Sequence, residues 1–206
     1  MMIPFLPRLF AIRAGLLLAS GLFAAGAALA QTPPAWLDEA VKASAADLTA
    51  LRHELHQMPE LGNQETKTQA RIIEILKKAG IEVVTGWKNA PTAVVGVLNP
   101  EKGDTVALRA DIDALPIREN TGLPYASKAK GVYWNKTVDV SHMCGHDAHM
   151  AMLLTAAQIL AEHRSEIDRR VLFVFQPAEE GDSIENPFEA ETPRKSGAEA
   201  LVLDGL

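Results

Sequence analysis

Residues 142–149, with the sequence HMCGHDAH, contain three of the chain's six histidines and its only cysteine. Cys144 and His146 stand two residues apart, and Gly145 between them allows the backbone to bend so that both side chains can face one point. A thiolate and an imidazole together suit zinc or another borderline transition metal. Two ligands are too few for a metal site, so this pattern predicts that carboxylates from elsewhere in the chain complete it.

Three residues around this pair have more than one interpretation. His149 comes three residues after His146 and is either a third ligand or a hydrogen-bonding brace for the loop, and we favour the brace. His142 is ambiguous in the same way. Asp147 can cap the helix that follows, orient His146 without contacting the metal, or bind the metal itself.

Two adjacent glutamates supply candidate carboxylates. Glu179 and Glu180 follow the apolar run VLFVFQ and Pro177, and adjacent side chains there point in different directions. That arrangement suits one carboxylate on a metal and the other free to take a proton from a metal-bound water. The alternative is a solvated pair of glutamates in a polar loop.

A second acidic pair ends another apolar run. Asp111 and Asp113 are separated by one residue in RADID, and they can face the same way if the strand continues. They could ligate a metal or hold ligands in place, with Arg109 simply neutralising their charge. Ordinary capping of a strand end is the alternative.

The elements that must position these clusters follow from hydrophobic periodicity. Helices are predicted over residues 36–57, 66–80, 148–164 and 198–206. Strands are predicted over residues 81–87, 92–99, 105–111 and 169–176. The third strand is apolar enough to lie inside a sheet, Gly80 is expected to end the second helix, and residues 118–141 show no clear period. This alternation predicts a layered α/β domain with the three clusters at the carboxyl ends of its strands.

The first thirty residues are typical of an export signal. Two arginines precede an apolar run of about 12 to 17 residues, which is shorter than the roughly 20 needed to cross a bilayer. Ala28 and Ala30 match the small-residue pattern of a signal peptidase site. We therefore expect a signal peptide over residues 1–30, cleavage near Ala30, no stable membrane anchor, and a single secreted or periplasmic domain over residues 31–206.

Composition and missing motifs argue against several classes of function. The formal net charge is −6 and no basic cluster occurs, which argues against nucleic acid as a partner. The sequence has no G-x-S-x-G elbow, P-loop or G-x-G-x-x-G, so serine-hydrolase and nucleotide sites of those types are not expected. His53 and His56 stand three rather than four residues apart, so HELH is not the HExxH zinc-protease signature, and we interpret both as structural or peripheral.

Four segments, in this order and spacing, resemble the M20 metallopeptidase family. The likeness is greatest to its amidohydrolase branch, which includes hippurate hydrolases, N-acyl-amino-acid amidohydrolases and auxin-conjugate hydrolases. The segments are LRHELHQMPELGNQE at 51–65, ALRADIDALPI at 107–117, HMCGHDAHMAML at 142–153 and VFQPAEEG at 174–181. The resemblance implies a three-layer α/β/α catalytic domain like that of the zinc exopeptidases.

The resemblance also implies a site for two divalent metal ions, manganese or zinc. Matched residue by residue, Cys144, His146 and Glu180 are the implied metal ligands. Glu179 is the implied general base, which activates a bridging water for attack on an amide carbonyl while a metal polarises the carbonyl oxygen.

Three further residues are expected to support these ligands without binding metal: Asp113, Asp147 and His149. The implied substrate is a small molecule, an N-acyl amino acid or a small peptide, whose hydrolysis gives a carboxylic acid and a free amino acid. A homodimer is one implied assembly of the complete enzyme.

The sequence departs from the family pattern after the glutamate pair. The family's site uses two further histidines, one beyond that pair and one near the end of a longer chain, but no histidine follows Glu180 here. We therefore expect an incomplete catalytic domain that lacks the lid and dimerisation domain, corresponding to the N-terminal part of such an enzyme. The alternative is a non-catalytic remnant that binds metal weakly, or binds a partner, without hydrolysis.

Overall fold

The computed structural model describes residues 32–186, 188–189 and 194–206. The signal peptide expected over residues 1–30 therefore lies outside the described residues. Residues Ala35–Leu206 form one compact unit. Within the described ranges, no helix has both the length and the apolar character needed to cross a membrane.

The helices and strands follow one another in a mixed order. The helices are α1 (Ala35–Gln57), α2 (Thr66–Lys78), α3 (His146–Glu162) and α4 (Gly197–Leu203), with a short 3-10 turn at Arg164–Glu166. The strands are β1 (Glu82–Val84), β2 (Val94–Leu98), β3 (Thr105–Asp111), β4 (Lys130–Tyr133), β5 (Lys136–Asp139) and β6 (Arg170–Gln176).

Four strands form the main sheet, in the order β1-β2-β6-β3. β2 runs antiparallel to both β1 and β6, whereas β3 runs parallel to β6. In the parallel register, Asp111 at the end of β3 lies opposite Gln176 at the end of β6. The chain therefore leaves both strands at the same edge of the sheet, which is where the sequence predicts that the acidic clusters meet.

Helices cover both faces of this sheet. On one face, α1, α2 and α3 bury a cluster around Phe173 and Phe175 of β6. On the opposite face, Ala200 and Leu201 of α4 pack in a cluster with Val174 of the same strand. Because β6 is covered on both faces, its sequence is a continuous apolar run rather than an alternating one. The predicted three-layer α/β/α arrangement is confirmed.

The prediction that the strand at 105–111 lies inside a sheet was wrong for the described part of the chain. β3 pairs only with β6 there and is an edge strand. Val106 and Leu108, two of the apolar side chains that suggested an inner strand, remain 41% and 37% exposed.

The hairpin of β4 and β5 was missed, because residues 118–141 show no clear hydrophobic period. The two strands join through Trp134 and Asn135, whose φ angles of 47° and 62° are those of a two-residue hairpin turn. Most side chains of both strands are exposed or half-buried, so no alternating apolar face marks them in the sequence.

Helix α3 begins two residues earlier than predicted. Gly145 occupies the N-cap position with a φ of 86°, and His146 is the first helical residue. Of the three roles left open for Asp147, capping is therefore excluded, since this residue lies inside the first turn, where its negative charge still suits the helix dipole.

Both ends of α2 are satisfied by identifiable groups. Gly80 has a φ of 70° and donates its N–H to the Lys77 carbonyl at 3.0 Å, so the predicted ending is confirmed. At the other end, the Glu60 carboxylate accepts the N–H groups of Lys67 at 3.2 Å and Thr68 at 2.8 Å.

Glu65, just before α2, is completely buried, and burial raises the pKa of its carboxyl from 4.5 to about 7. An acid whose pKa is higher in the folded protein binds more protons when folded, so it destabilises the fold increasingly as pH rises from about 4.5 to 7. We predict that the unfolding free energy of Glu65→Gln minus that of the wild type increases by about 2 to 3 kcal/mol between pH 4 and pH 8.

Urea unfolding at several pH values, followed by circular dichroism, measures this difference. The matched control is Glu39→Gln on the exposed surface of α1, whose difference from the wild type is expected to stay constant with pH. A flat profile for Glu65→Gln would contradict the prediction.

Candidate metal centre

Three segments meet at the edge of the sheet where β3 and β6 end. Cys144, His146 and Glu180 each offer one ligand atom there, and these atoms lie within 4.8 Å of one another. Metal–ligand bonds of roughly 2.0 to 2.3 Å place two ligands of one ion up to about twice that distance apart. A thiolate, an imidazole and a carboxylate are all acceptable zinc ligands, so these residues fit a divalent ion. The structure thus brings the three predicted ligands together.

The backbone bends, as predicted, at Gly145 between the candidate ligands Cys144 and His146. Gly145 has a φ of 86°, a left-handed conformation that residues with a Cβ rarely adopt. Because the backbone turns there, Cys144 in the loop and His146 in the first helical turn can approach a common point.

Asp113 fixes the orientation of His146. The ring nitrogen Nδ1 of His146 lies 2.8 Å from the carbonyl oxygen of Asp113 and 3.4 Å from its carboxylate Oδ1. Because the carbonyl oxygen can only accept, Nδ1 donates its proton there, which leaves Nε2 as the nitrogen that a metal can bind once it has lost its own proton. This arrangement is common for histidine ligands.

The same aspartate also holds the glutamate loop. The carboxylate Oδ2 of Asp113 accepts the backbone N–H of Glu180 at 2.9 Å, and the whole side chain is buried. Asp113 therefore contacts two of the three candidate ligand residues without being part of the ligand cluster. Its expected role as a support for the ligands is consistent with these contacts and stays a prediction.

The electrostatic environment attracts cations. Burial by itself would lower the pKa of His146, but the hydrogen bonds and negative charge of Asp113 outweigh it and raise the pKa to about 9. The hydrogen bond to Glu180, then burial and the charges of Glu180 and Glu179, raise the pKa of the Cys144 thiol to about 11. At neutral pH both groups therefore hold protons that a bound divalent cation would replace.

Glu179 lies beside the candidate ligands but is not one of them in this geometry. Its Oε2 is 3.7 Å from Nε2 of His146, the nitrogen that is available to a metal, and its side chain is 42% exposed. Both glutamates are exposed, and Glu180 but not Glu179 belongs to the ligand cluster, so the division of roles between them stays a prediction.

Asp147 points away from the ligand cluster and into a buried network. Its Oδ2 accepts hydrogen bonds from Nε of Arg52 at 3.1 Å and from Nδ1 of His56 at 2.8 Å. The other ring nitrogen of His56 lies 3.1 Å from Oε2 of Glu119. This network links α1 to the first turn of α3, and the expected supporting role of Asp147 is consistent with it and stays a prediction.

The other two histidines of the segment have separate environments. His149 stacks on the ring of His146 at 5.3 Å, and its Nδ1 is 3.5 Å from Oδ2 of Asp111, which also pairs with Arg109. These contacts suit the predicted brace, although Asp111, His146 and His149 together form a second cluster of metal-capable atoms. His142 is buried, and burial lowers its pKa to about 4, so it is neutral at pH 7 and lies outside both clusters.

Sequence reasoning missed two groups that shape the site. His56 is buried against Asp147, which fits the structural interpretation, but no pattern in the sequence indicated this contact. The segment LGNQE at 61–65 was noted only as part of a family motif, yet it lies against the glutamate loop. There, Asn63 Nδ2 donates to Asp182 at 2.8 Å and Gln64 Nε2 donates to Ser183 at 2.6 Å. The only local signal was a polar, glycine-containing run between two helices.

Comparison with known proteins places the sequence close to one family of peptidases. A sequence profile of peptidase family M20/M25/M40 matches residues 107–203. Thermostable carboxypeptidase 1 of Saccharolobus solfataricus is 47% identical over 131 residues, which are 63% of this chain and 31% of that protein. N-acetyl-L-cysteine deacetylase of Bacillus subtilis is 44% identical over 138 residues, which are 65% of this chain and 30% of that protein. The chain thus spans about a third of the length of these curated relatives.

A solved structure extends the likeness to the fold. The crystal structure of a dinuclear metal-binding peptidase of the M20 family from Bacillus subtilis is similar to this one, with a TM-score of 0.63 and 36% sequence identity. The similarity covers 80% of this chain and 40% of that one. The described domain therefore has the fold of part of an M20 peptidase.

Replacement of Cys144 by alanine removes the softest member of the candidate donor set. We predict that Cys144→Ala lowers the affinity for zinc by at least about tenfold and abolishes the thiolate-to-cobalt absorption band of the cobalt-loaded protein. Competition with a chromogenic chelator measures the affinity. Met143→Ala, at the exposed neighbouring residue, is the control and should bind as the wild type does. Unchanged zinc affinity in Cys144→Ala would contradict the assignment.

Proposed function

We propose that the chain, which the profile of peptidase family M20/M25/M40 matches over residues 107–203, forms the metal-binding N-terminal part of an amidohydrolase. Its substrate would be an N-acyl amino acid or a small peptide, whose amide bond is hydrolysed. The observation that carries this proposal is the convergence of Cys144, His146 and Glu180, with Glu179 beside them. The relatives named as a deacetylase and a carboxypeptidase support an amide bond as the target.

The complete site is proposed to hold two divalent ions, zinc or manganese. When bound, such ions polarise an amide carbonyl and lower the pKa of water, which makes water a nucleophile near neutral pH. Cys144, His146 and Glu180 would hold an ion, and Asp113 would keep His146 in the tautomer that exposes Nε2. The dinuclear relative supports the number of ions, while the thiolate in the donor set favours zinc.

Glu179 is proposed to move the proton. Its carboxylate is partly open to solvent and lies 3.7 Å from the available nitrogen of His146, so it borders both the ligand cluster and the approach of a substrate. Oε2 takes a proton from the attacking water and then delivers it to the leaving nitrogen of the amide. The products are a carboxylic acid and the amino group of an amino acid, so atoms and protons balance.

A metal-binding segment without hydrolytic activity is the second candidate function. It is favoured by the ligand cluster itself, in which Cys144, His146 and Glu180 supply three of the five ligands that the family resemblance implies. The two candidates differ in turnover by the metal-loaded chain, since both include the same three ligands.

The first candidate is tested by substitution of the proposed base. We predict that Glu179→Gln lowers the rate of hydrolysis of N-acetyl- or N-benzoyl-amino acids by about 10²- to 10⁴-fold, while zinc affinity stays near the wild-type value. Glu185→Gln, an exposed glutamate on the same loop, is the matched control. No turnover by the zinc- or manganese-loaded wild type would favour the second candidate, and full activity of Glu179→Gln would contradict the role of Glu179.

Export is proposed from residues 1–30, and the small residues at Ala28 and Ala30 support a cleavage site there. We predict that the chain, produced in a Gram-negative bacterium, is recovered from the periplasm with Gln31 as its first residue, as measured by intact-mass spectrometry. Ala30→Arg, which disrupts the small-residue pattern, should retain the signal segment. A wild-type product that keeps Met1 would contradict the proposal.

A further inference from the structure

Glu65 is a buried acid that the proposed chemistry does not use. None of its surface is exposed, and both carboxylate oxygens have partners. Oε2 accepts the hydroxyl of Thr92 at 2.7 Å, and Oε1 accepts the backbone N–H of Ala178 at 2.9 Å. The second contact is made one residue before Glu179.

The position of Glu65 at the start of α2 does not explain where its side-chain carboxyl points. Glu65 is the N-cap residue of that helix but makes no capping hydrogen bond with its side chain. The Glu60 carboxylate instead accepts the N–H groups of Lys67 and Thr68. The Glu65 carboxyl is therefore directed entirely to Thr92 and Ala178.

Ala178 has a backbone conformation that needs support. Its φ of 48° is left-handed, which is disfavoured for a residue with a Cβ and persists only where surrounding contacts determine it. Its N–H is held by Glu65, and its carbonyl accepts the N–H of Gly197 at 3.2 Å. Because Ala178 directly precedes the glutamate pair, its conformation sets the directions in which Glu179 and Glu180 leave the backbone.

The rest of the LGNQE segment packs closely on the same loop. A Cβ added to Gly62 would lie 2.2 Å from the carbonyl oxygen of Gly181, so the two backbones are in direct contact. Farther along the turn, Asp113 accepts the N–H of Glu180 at 2.9 Å. Two buried acids, Glu65 and Asp113, thus hold alternate amides of the turn from Ala178 to Glu180.

We propose that Glu65 is a positioning residue, whose buried carboxyl holds the left-handed turn at Ala178 and thereby directs Glu179 and Glu180 toward Cys144 and His146. The inference rests on the metal centre of the proposed function. Burial raises the pKa of Glu65 to about 7, yet the neutral and the charged carboxyl can both accept the N–H of Ala178. A glutamine can do the same through its amide oxygen, so it should replace Glu65 in this role, whereas leucine cannot.

Hydrogen exchange and zinc titration of the full chain test this role. Glu65→Leu is expected to speed amide exchange at residues 178–181 by at least about tenfold in the metal-free chain, because the N–H of Ala178 loses its acceptor. The same variant is expected to lower zinc affinity by about 10- to 100-fold. Glu65→Gln should restore both values to those of the wild type. If Glu65→Leu does not fold, Glu65→Asp serves instead, because its shorter side chain withdraws the carboxyl from Ala178.

A destabilised control separates positioning from general stability. Leu98→Ala removes a buried side chain at the end of β2 that pairs with Val171, the opposite end of β6 from the site. It should lower stability while leaving loop exchange and zinc affinity unchanged. Wild-type exchange in the folded Leu or Asp variant would overturn the inference, as would an equal loss of affinity in Leu98→Ala or no rescue by glutamine. A wild type that binds no zinc would overturn the metal centre, while the metal-free exchange data still decide whether Glu65 holds the turn.

Discussion

The parallel pairing of β3 with β6 is the constraint on which the site depends. Asp111 and Gln176 lie opposite each other in the register, so the chain leaves both strands at one edge of the sheet. Asp113 and Glu180 therefore start from neighbouring points, and the backbone N–H of Glu180 reaches the Asp113 carboxylate. Helix α3 packs on β3 and brings His146 to the Asp113 carbonyl from the same side. A shift of one residue between the strands would move the end of β3 relative to the end of β6 and so displace Asp113 from Glu180.

This convergence concentrates negative charge around Cys144 and His146, and so makes both groups hold their protons more tightly. The carboxylates of Asp113, Glu179 and Glu180 all contribute to the high pKa of Cys144, and Asp113 contributes most of the rise for His146. The same charges lower the energy of a divalent cation at that point, and the cation in turn favours thiolate and neutral imidazole. One bound ion would therefore both relieve the repulsion among the carboxylates and offset the cost of deprotonating Cys144 and His146.

Much of this arrangement could be predicted because it is encoded in local patterns. Apolar runs in the sequence mark β3 and β6. The polar residues that directly follow a strand lie at the edge of the sheet, so the positions of the acidic clusters could be predicted. The β4–β5 hairpin could not be predicted, because neither strand buries a continuous face. The contact of Asp147 with His56 could not be predicted either, because the two residues are 91 positions apart and hydrophobic periodicity carries no information about such a contact.

The CGH segment and the glutamate pair differ in how their geometry is determined. Gly145 reaches its left-handed φ of 86° without steric penalty, so the bend between Cys144 and His146 is set by the local sequence. Ala178 adopts a left-handed φ of 48° although it carries a Cβ, at a cost of roughly 1 to 2 kcal/mol for an L-residue. Its N–H is held by Glu65, which lies 113 residues earlier in the chain. The geometry of the CGH segment can therefore be predicted from its own sequence. The direction of the glutamate pair cannot, because it depends on the LGNQE segment that the fold packs against it.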